Sequence, residues 1–272
     1  MRLRVSLLFA LLAVALLAVP GAPGANAGGS KAIYYLSLGD SLAQGFQPIG
    51  GPASRRASPG YNQGFADQLF KLVRGDHTQL REVKLGCGGE STVTFRTGAL
   101  CQYPNGSQLD EAVAFLNANR DRVAFVTVTL GANDVLSGGG PAAVGANLPP
   151  ALAALKAAAG PGVPIVGMNY YDPLLAAVWA QTGSVAAVQA EATQSALLNG
   201  FLGSLYALFG IPVADVFGAF STSDSTLVGG TPRNVLQVCA WTWMCAGPPH
   251  GPDIHANNEG YGVIARAFLP HL

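Results

Sequence analysis

Apolar runs with little polar alternation recur along the chain, and stretches with apolar residues three and four apart lie between them. The runs are 33–38, 123–130, 164–169 and 211–216, and 80–85 is a further strand candidate. Short runs of this kind, rich in Val, Ile, Phe and Tyr, predict strands buried on both faces. The segment 64–73 carries Phe65, Leu69 and Leu72 at helical spacing. The segment 109–119 places Leu109, Ala112, Val113 and Leu116 on one helical face. Further helices are predicted over 184–209 and 257–268. The Ala-rich stretch 144–158 is also helical in character, but Pro149 and Pro150 predict a break or a late start there. Loops are expected over 53–60 and 137–141. A long one is expected over 221–251, which is rich in Gly, Pro, Thr and Trp.

Strands alternating with helices imply parallel strands joined by crossovers, hence an α/β fold with a three-layer α/β/α sandwich. Ligands of such sheets bind beyond the C-terminal ends of the strands. The chemistry is therefore sought at those ends.

Composition narrows the function classes. Half of the 272 residues are hydrophobic, 11% are charged, and the formal net charge is zero. That balance excludes a disordered chain and lacks the basic excess of a nucleic-acid binder. The first residues stand apart from the fold. Arg2 and Arg4 precede an apolar run over 5–19, and Ala25-Asn26-Ala27 supplies small residues for a peptidase. This pattern predicts a secretory signal over 1–27 and one mature domain over 28–272. A membrane span would need about 20 apolar residues. Loss of the two arginines takes the net charge from zero to −2. Export to an oxidising compartment makes Cys87, Cys101, Cys239 and Cys245 disulfide candidates. Four cysteines allow three pairings, and the local one, Cys87–Cys101 with Cys239–Cys245, closes the shortest loops. No C-x-x-C or Cys/His cluster at ligand spacing supports a metal site.

Four strand-end or helix-start segments carry candidate chemistry: Gly39-Asp40-Ser41-Leu42, Gly88-Gly89-Glu90-Ser91, Gly131-Ala132-Asn133-Asp134 and Asp253-Ile254-His255. A serine at a strand end can face the crevice beside backbone N–H groups. Asp40 or Ser41 could equally cap a helix. Together, in this order, the four segments resemble the SGNH (GDSL-type) serine hydrolase family over about 33–268. The resemblance implies a flavodoxin-like sheet with strand order 2-1-3-4-5. It implies Ser41 as nucleophile, His255 as general base, and Gly89 and Asn133 as oxyanion donors. The family usually places its acid three residues before the histidine, where Pro252 stands here. Asp253, two residues before, takes its place as the third member, or a backbone carbonyl orients the imidazole. Asp134 is expected to be structural, capping the segment that follows. His250 is a lesser base candidate, and His77 and His271 are expected at the surface. Trp241 and Trp243 could wall the site or pack under a disulfide loop. Tyr170 and Tyr171 could line a substrate pocket.

These residues predict a secreted carboxylic-ester hydrolase of esterase or lipase type, with no cofactor and no metal. The expected partner is a small-molecule or lipid ester, with transient contact to a lipid surface. No nucleic-acid partner is expected, and the chain is expected to be a monomer. The Leu- and Phe-rich stretch 197–209 hints at a lipid acyl group. The rivals are a carbohydrate O-acetyl esterase and a non-catalytic secreted binding protein on the same fold.

Overall fold

The structure, a computed structural model, describes residues 31–48, 62–75 and 77–272. The signal segment over 1–27 and the loop expected over 53–60 lie outside the described residues. Five parallel strands form the sheet: β1 (Ile33–Gly39), β2 (Leu80–Lys84), β3 (Val123–Thr129), β4 (Ile165–Met168) and β5 (Val213–Ala214), in the order 2-1-3-4-5. Tyr35, Leu36 and Leu38 of β1 and Val126 and Val128 of β3 are fully buried. That unbroken burial is what helices on both faces require.

The helices follow the chain order α1 (Ser41–Gln44), α2 (Phe65–Arg74), α3 (Thr92–Thr97), α4 (Gln108–Ala118), α5 (Ala132–Leu136), α6 (Gly140–Ala159), α7 (Leu174–Thr182), α8 (Val185–Ala207), α9 (Val216–Ala219), α10 (Arg233–Trp241) and α11 (Asn258–Phe268). One layer pairs α2 with α11, where the Phe65 and Phe268 rings stack 5.1 Å apart. On the other face α4 packs on α6 and α6 on α8. Side-chain caps fix several helix starts. The Ser107 hydroxyl accepts the Asp110 N–H at 3.0 Å, and Asn257 accepts the N–H groups of Glu259 and Gly260. Such caps satisfy donors that the first turn leaves open.

Three expectations need correction. α6 starts at Gly140, inside the expected 137–141 loop, and runs unbroken through Pro149 and Pro150. Val144, Leu148, Ala151, Leu152 and Leu155 form a buried stripe that holds the helix together, while Ala146 and Pro150 face solvent. Water on that outer side can serve a carbonyl that lacks its helical donor. The strand over 211–216 contracts to Val213–Ala214, because Asp215 accepts the Gly218 N–H and caps α9. The loop over 221–251 contains a two-stranded hairpin, β6 (Leu227–Val228) with β7 (Thr231–Pro232), and the helix α10. Val235 and Val238 of α10 pack on Leu175, Ala176 and Val188 in a small second core. Disulfides join Cys87 to Cys101 and Cys239 to Cys245, the local pairing. Among the described residues no helix is long and apolar enough to cross a membrane.

Candidate active site

β1 ends at Gly39, whose φ is +129° and where a Cβ would collide with the Thr129 carbonyl. Only glycine suits that conformation and that approach. Asp40 then caps α1: its Oδ1 accepts the Leu42 N–H at 2.9 Å and the Thr129 hydroxyl at 3.1 Å. Its Oδ2 accepts the Tyr170 hydroxyl at 2.8 Å. Burial pushes the Asp40 carboxyl above the usual aspartate value, against the pull of these three bonds. Asp40 is thus the cap, and the next side chain, Ser41, is left for other work.

The Ser41 hydroxyl lies 2.8 Å from His255 Nε2. His255 Nδ1 lies 2.7 Å from Asp253 Oδ1, which also accepts the His255 backbone N–H at 2.9 Å. One carboxylate oxygen therefore fixes both the ring and the backbone of the histidine. Burial raises the Asp253 carboxyl, but the His255 side-chain and backbone bonds outweigh it and hold it below the usual aspartate value. The expected alternative, a backbone carbonyl orienting the imidazole, is not the arrangement found. The segment bearing His255 is pinned on three sides. Trp243 N–H donates to the His255 carbonyl, Asp253 N–H to the Trp243 carbonyl, and the Tyr171 hydroxyl to the Ile254 carbonyl. The Phe46 ring packs 4.4 Å from the imidazole, centroid to centroid.

Gly89 sits in the turn after β2 with φ +82° and is exposed. The Cys87–Cys101 disulfide anchors that turn. Asn133, at the start of α5, donates from Nδ2 to the Glu90 carbonyl at 3.0 Å. A side-chain amide carries two donors on that nitrogen, so one remains for a ligand. Asn133 lines the same cleft as Ser41 and His255. Asp134 is structural, as expected, yet it caps a different helix. It accepts the N–H and hydroxyl of Thr92 at the start of α3, tying α5 to the segment that follows Gly89.

Sequence reasoning missed Gln108. This fully buried side chain accepts the Gly39 N–H at 2.6 Å and donates to the Gly39 carbonyl and to Glu90 Oε2, both at 3.0 Å. It joins the turn that leads to Ser41 to the turn that follows Gly89. Its only signal was its place just after a Ser-x-x-Asp helix start. Burial pushes the Glu90 carboxyl up, which suits a group held by a neutral amide. The tryptophans do not wall the cleft. Trp241 packs edge-on against Phe220, and Trp243 donates to Gln47 Oε1. Tyr170 and Tyr171 do line it. His250 packs near Trp243 and does not line the cleft, and His77 is exposed. Among the described residues no group of His, Cys, Asp and Glu is arranged to hold a metal ion.

A serine hydroxyl bonded to an imidazole that a carboxylate orients, beside amide donors, can perform acyl transfer. Comparison with known proteins agrees with that chemistry. The model of the GDSL-like lipase/acylhydrolase family matches residues 37–263. Among solved structures, the extracellular lipase from Streptomyces rimosus is similar at TM-score 0.58 and 17% identity, over 89% of this chain and 100% of that one. The acetylxylan esterase from Geobacillus stearothermophilus is similar at TM-score 0.57 and 15% identity, over 89% and 94%. An α/β hydrolase enzyme from the metagenome of Lake Arreo, Spain, is similar at TM-score 0.53 and 16% identity, over 89% and 95%. At these identities the likeness is one of fold. No curated protein matches the sequence.

Proposed function

The chain belongs to the GDSL-like lipase/acylhydrolase family and is a serine ester hydrolase, and from that premise we propose that Ser41 is its nucleophile and His255 its general base. The observation that carries this reading is the hydrogen-bonded line from Ser41 Oγ to His255 Nε2 and from His255 Nδ1 to Asp253, at 2.8 and 2.7 Å.

A serine hydroxyl is a weak nucleophile until a base removes its proton. His255 Nε2 takes that proton as Ser41 Oγ bonds to the ester carbonyl carbon. Asp253 holds the proton on Nδ1, which keeps Nε2 free to accept, and stabilises the imidazolium that forms. The carbonyl oxygen becomes an oxyanion facing the N–H of Ser41, the N–H of Gly89 and the free amide hydrogen of Asn133. One such donor is typically worth about 3–4 kcal/mol of barrier. Collapse of the intermediate breaks the bond to the alkoxide, and His255 returns the proton to it. Water then attacks the acyl-Ser41 ester with His255 again as base, releasing the acid and the free serine.

We also read the mature enzyme as one secreted domain over 28–272, cleaved behind Ala27 and working as a monomer on small-molecule or lipid esters. Arg2, Arg4, the apolar run behind them and two disulfides support export. A fluorophosphonate probe tests the catalytic reading. The wild-type protein is expected to be labelled and Ser41→Ala to be silent. Labelling that persists in Ser41→Ala would remove Ser41 from its role.

A further inference from the structure

The cleft that holds Ser41 and His255 has a volume of about 480 Å³, within the range of pockets that bury small organic ligands. One wall comes from α5, through Asn133, Val135 and Leu136, and another from α8, through Leu197 and Leu198. Asn133 and Leu136 are three residues apart and so share a helical face. An ester carbonyl directed at the Asn133 amide therefore has Leu136 one turn further along.

The mouth of this cleft is unusually apolar for a surface. Val135, Leu136, Leu174 and Leu197 line it while being 42, 58, 37 and 65% exposed. Large apolar side chains left open together around one cavity mark a binding surface. Deeper in, Tyr170 and Tyr171 have both hydroxyls engaged, on Asp40 and on the Ile254 carbonyl. What remains of them for a ligand is ring carbon. The acidic residues lining the cleft are Asp40, Asp172 and Glu191, and Asp40 is engaged by Leu42, Thr129 and Tyr170. No Lys or Arg among the described residues lines it.

We propose that the cleft selects esters of uncharged, apolar acyl chains, and that the chain lies between Leu136 of α5 and Leu197 of α8. The inference rests on Ser41 being the nucleophile. An acyl chain ending in a carboxylate would meet Glu191 with no Lys or Arg in the cleft to offset it. An apolar chain gains from each methylene that leaves water, about fourfold in affinity. That gain raises kcat/KM when it is realised in the transition state.

The test is the chain-length profile of p-nitrophenyl esters from C2 to C8, each kept below its aggregation concentration, with an adipate half-ester beside the neutral hexanoate. For the wild type, kcat/KM is expected to rise more than tenfold from C2 to C8, and the half-ester to react at least tenfold more slowly than hexanoate. Leu136→Gln and Leu197→Gln are each expected to lower the C8-to-C2 ratio by about fivefold or more. Both side chains are largely exposed, so their loss leaves the core intact. Leu208→Gln, at the C-cap of the same helix and outside the cleft, is expected to keep the wild-type ratio. A wild-type profile that is flat or peaks at C2 would overturn the inference. So would ratios in Leu136→Gln and Leu197→Gln equal to that of Leu208→Gln. Ser41→Ala separates the two levels: its loss of all hydrolysis alongside a flat wild-type profile sinks the acyl assignment alone, whereas retained hydrolysis sinks the nucleophile assignment.

Discussion

Gln108 grips Gly39 by both sides of its backbone, accepting its N–H at 2.6 Å and donating to its carbonyl at 3.0 Å. The side chain acts there as a neighbouring strand would, at the point where β1 gives way to the serine. Its third bond, to Glu90, ties in the turn that carries Gly89. Truncation to Gln108→Ala leaves buried groups unmatched, at about 1–3 kcal/mol for each group left unsatisfied. The expected result is a lower Tm, read by thermal denaturation, together with a fall in kcat that exceeds any rise in KM. A variant with wild-type kcat would show that the two turns hold their places unaided.

Asp253→Asn should be nearly as damaging as His255→Ala. Oδ1 serves both Nδ1 and the backbone N–H of His255, so the substitution disturbs the tautomer and the loop together. Losing the orienting carboxylate of such a triad costs on the order of 10⁴ in kcat. Steady-state kinetics on folded variants decides this. A loss under tenfold for Asp253→Asn would leave the orientation of His255 to its pinned backbone.

Asp172 gives the fold a pH dependence of known sign. Burial pushes its carboxyl up to about 7, with the Leu174 N–H pulling down and Glu191 adding to the rise. A carboxyl raised on folding contributes stability that is full below its unfolded value of about 4 and is lost as pH rises through about 7. Asp172→Asn keeps an oxygen for the Leu174 N–H and removes the charge. It should therefore raise Tm at pH 9, by an amount equivalent to at most about 4 kcal/mol, and change little at pH 4. An equal effect at both values would assign the change to packing instead.

Cys87–Cys101 closes a loop of 14 residues around the turn of Gly89 and α3. A cross-link of that span typically stabilises by about 3 kcal/mol. Replacing both cysteines by serine should lower Tm by roughly 6–12 °C, and the unmodified protein should lose at least as much under reductant, which also opens Cys239–Cys245. No shift in either case would mean that the turn is held by its hydrogen bonds alone.

Much of this was legible in the chain because its signals are local. Each buried run of β1, β3 and β4 and each spacing of α2, α4 and α11 is written within a dozen residues. What escaped depends on distant partners. Pro149 and Pro150 read as breakers until the stripe from Val144 to Leu155 is seen pressed on the sheet and its helices. α10 is hidden among Gly and Pro, and its Val235 and Val238 gain meaning only against α7 and α8. The motif segments announced Ser41, Asn133 and His255 through residue type. Gln108 had no such mark, since a polar residue in the first turn of a helix is ordinary, and its task is set by Gly39, 69 positions away.

Ser41 and His255 meet although 214 positions separate them along the chain. Ser41 emerges early from a ribosome, and His255 follows only near the end, on the segment leading into α11. A nascent or truncated chain thus has a serine without its partner and is chemically silent. Hydrolytic activity therefore reports that the two ends of the fold have come together. A refolding assay that follows ester cleavage would register the meeting of Ser41 and His255, which an assay of helix content does not see.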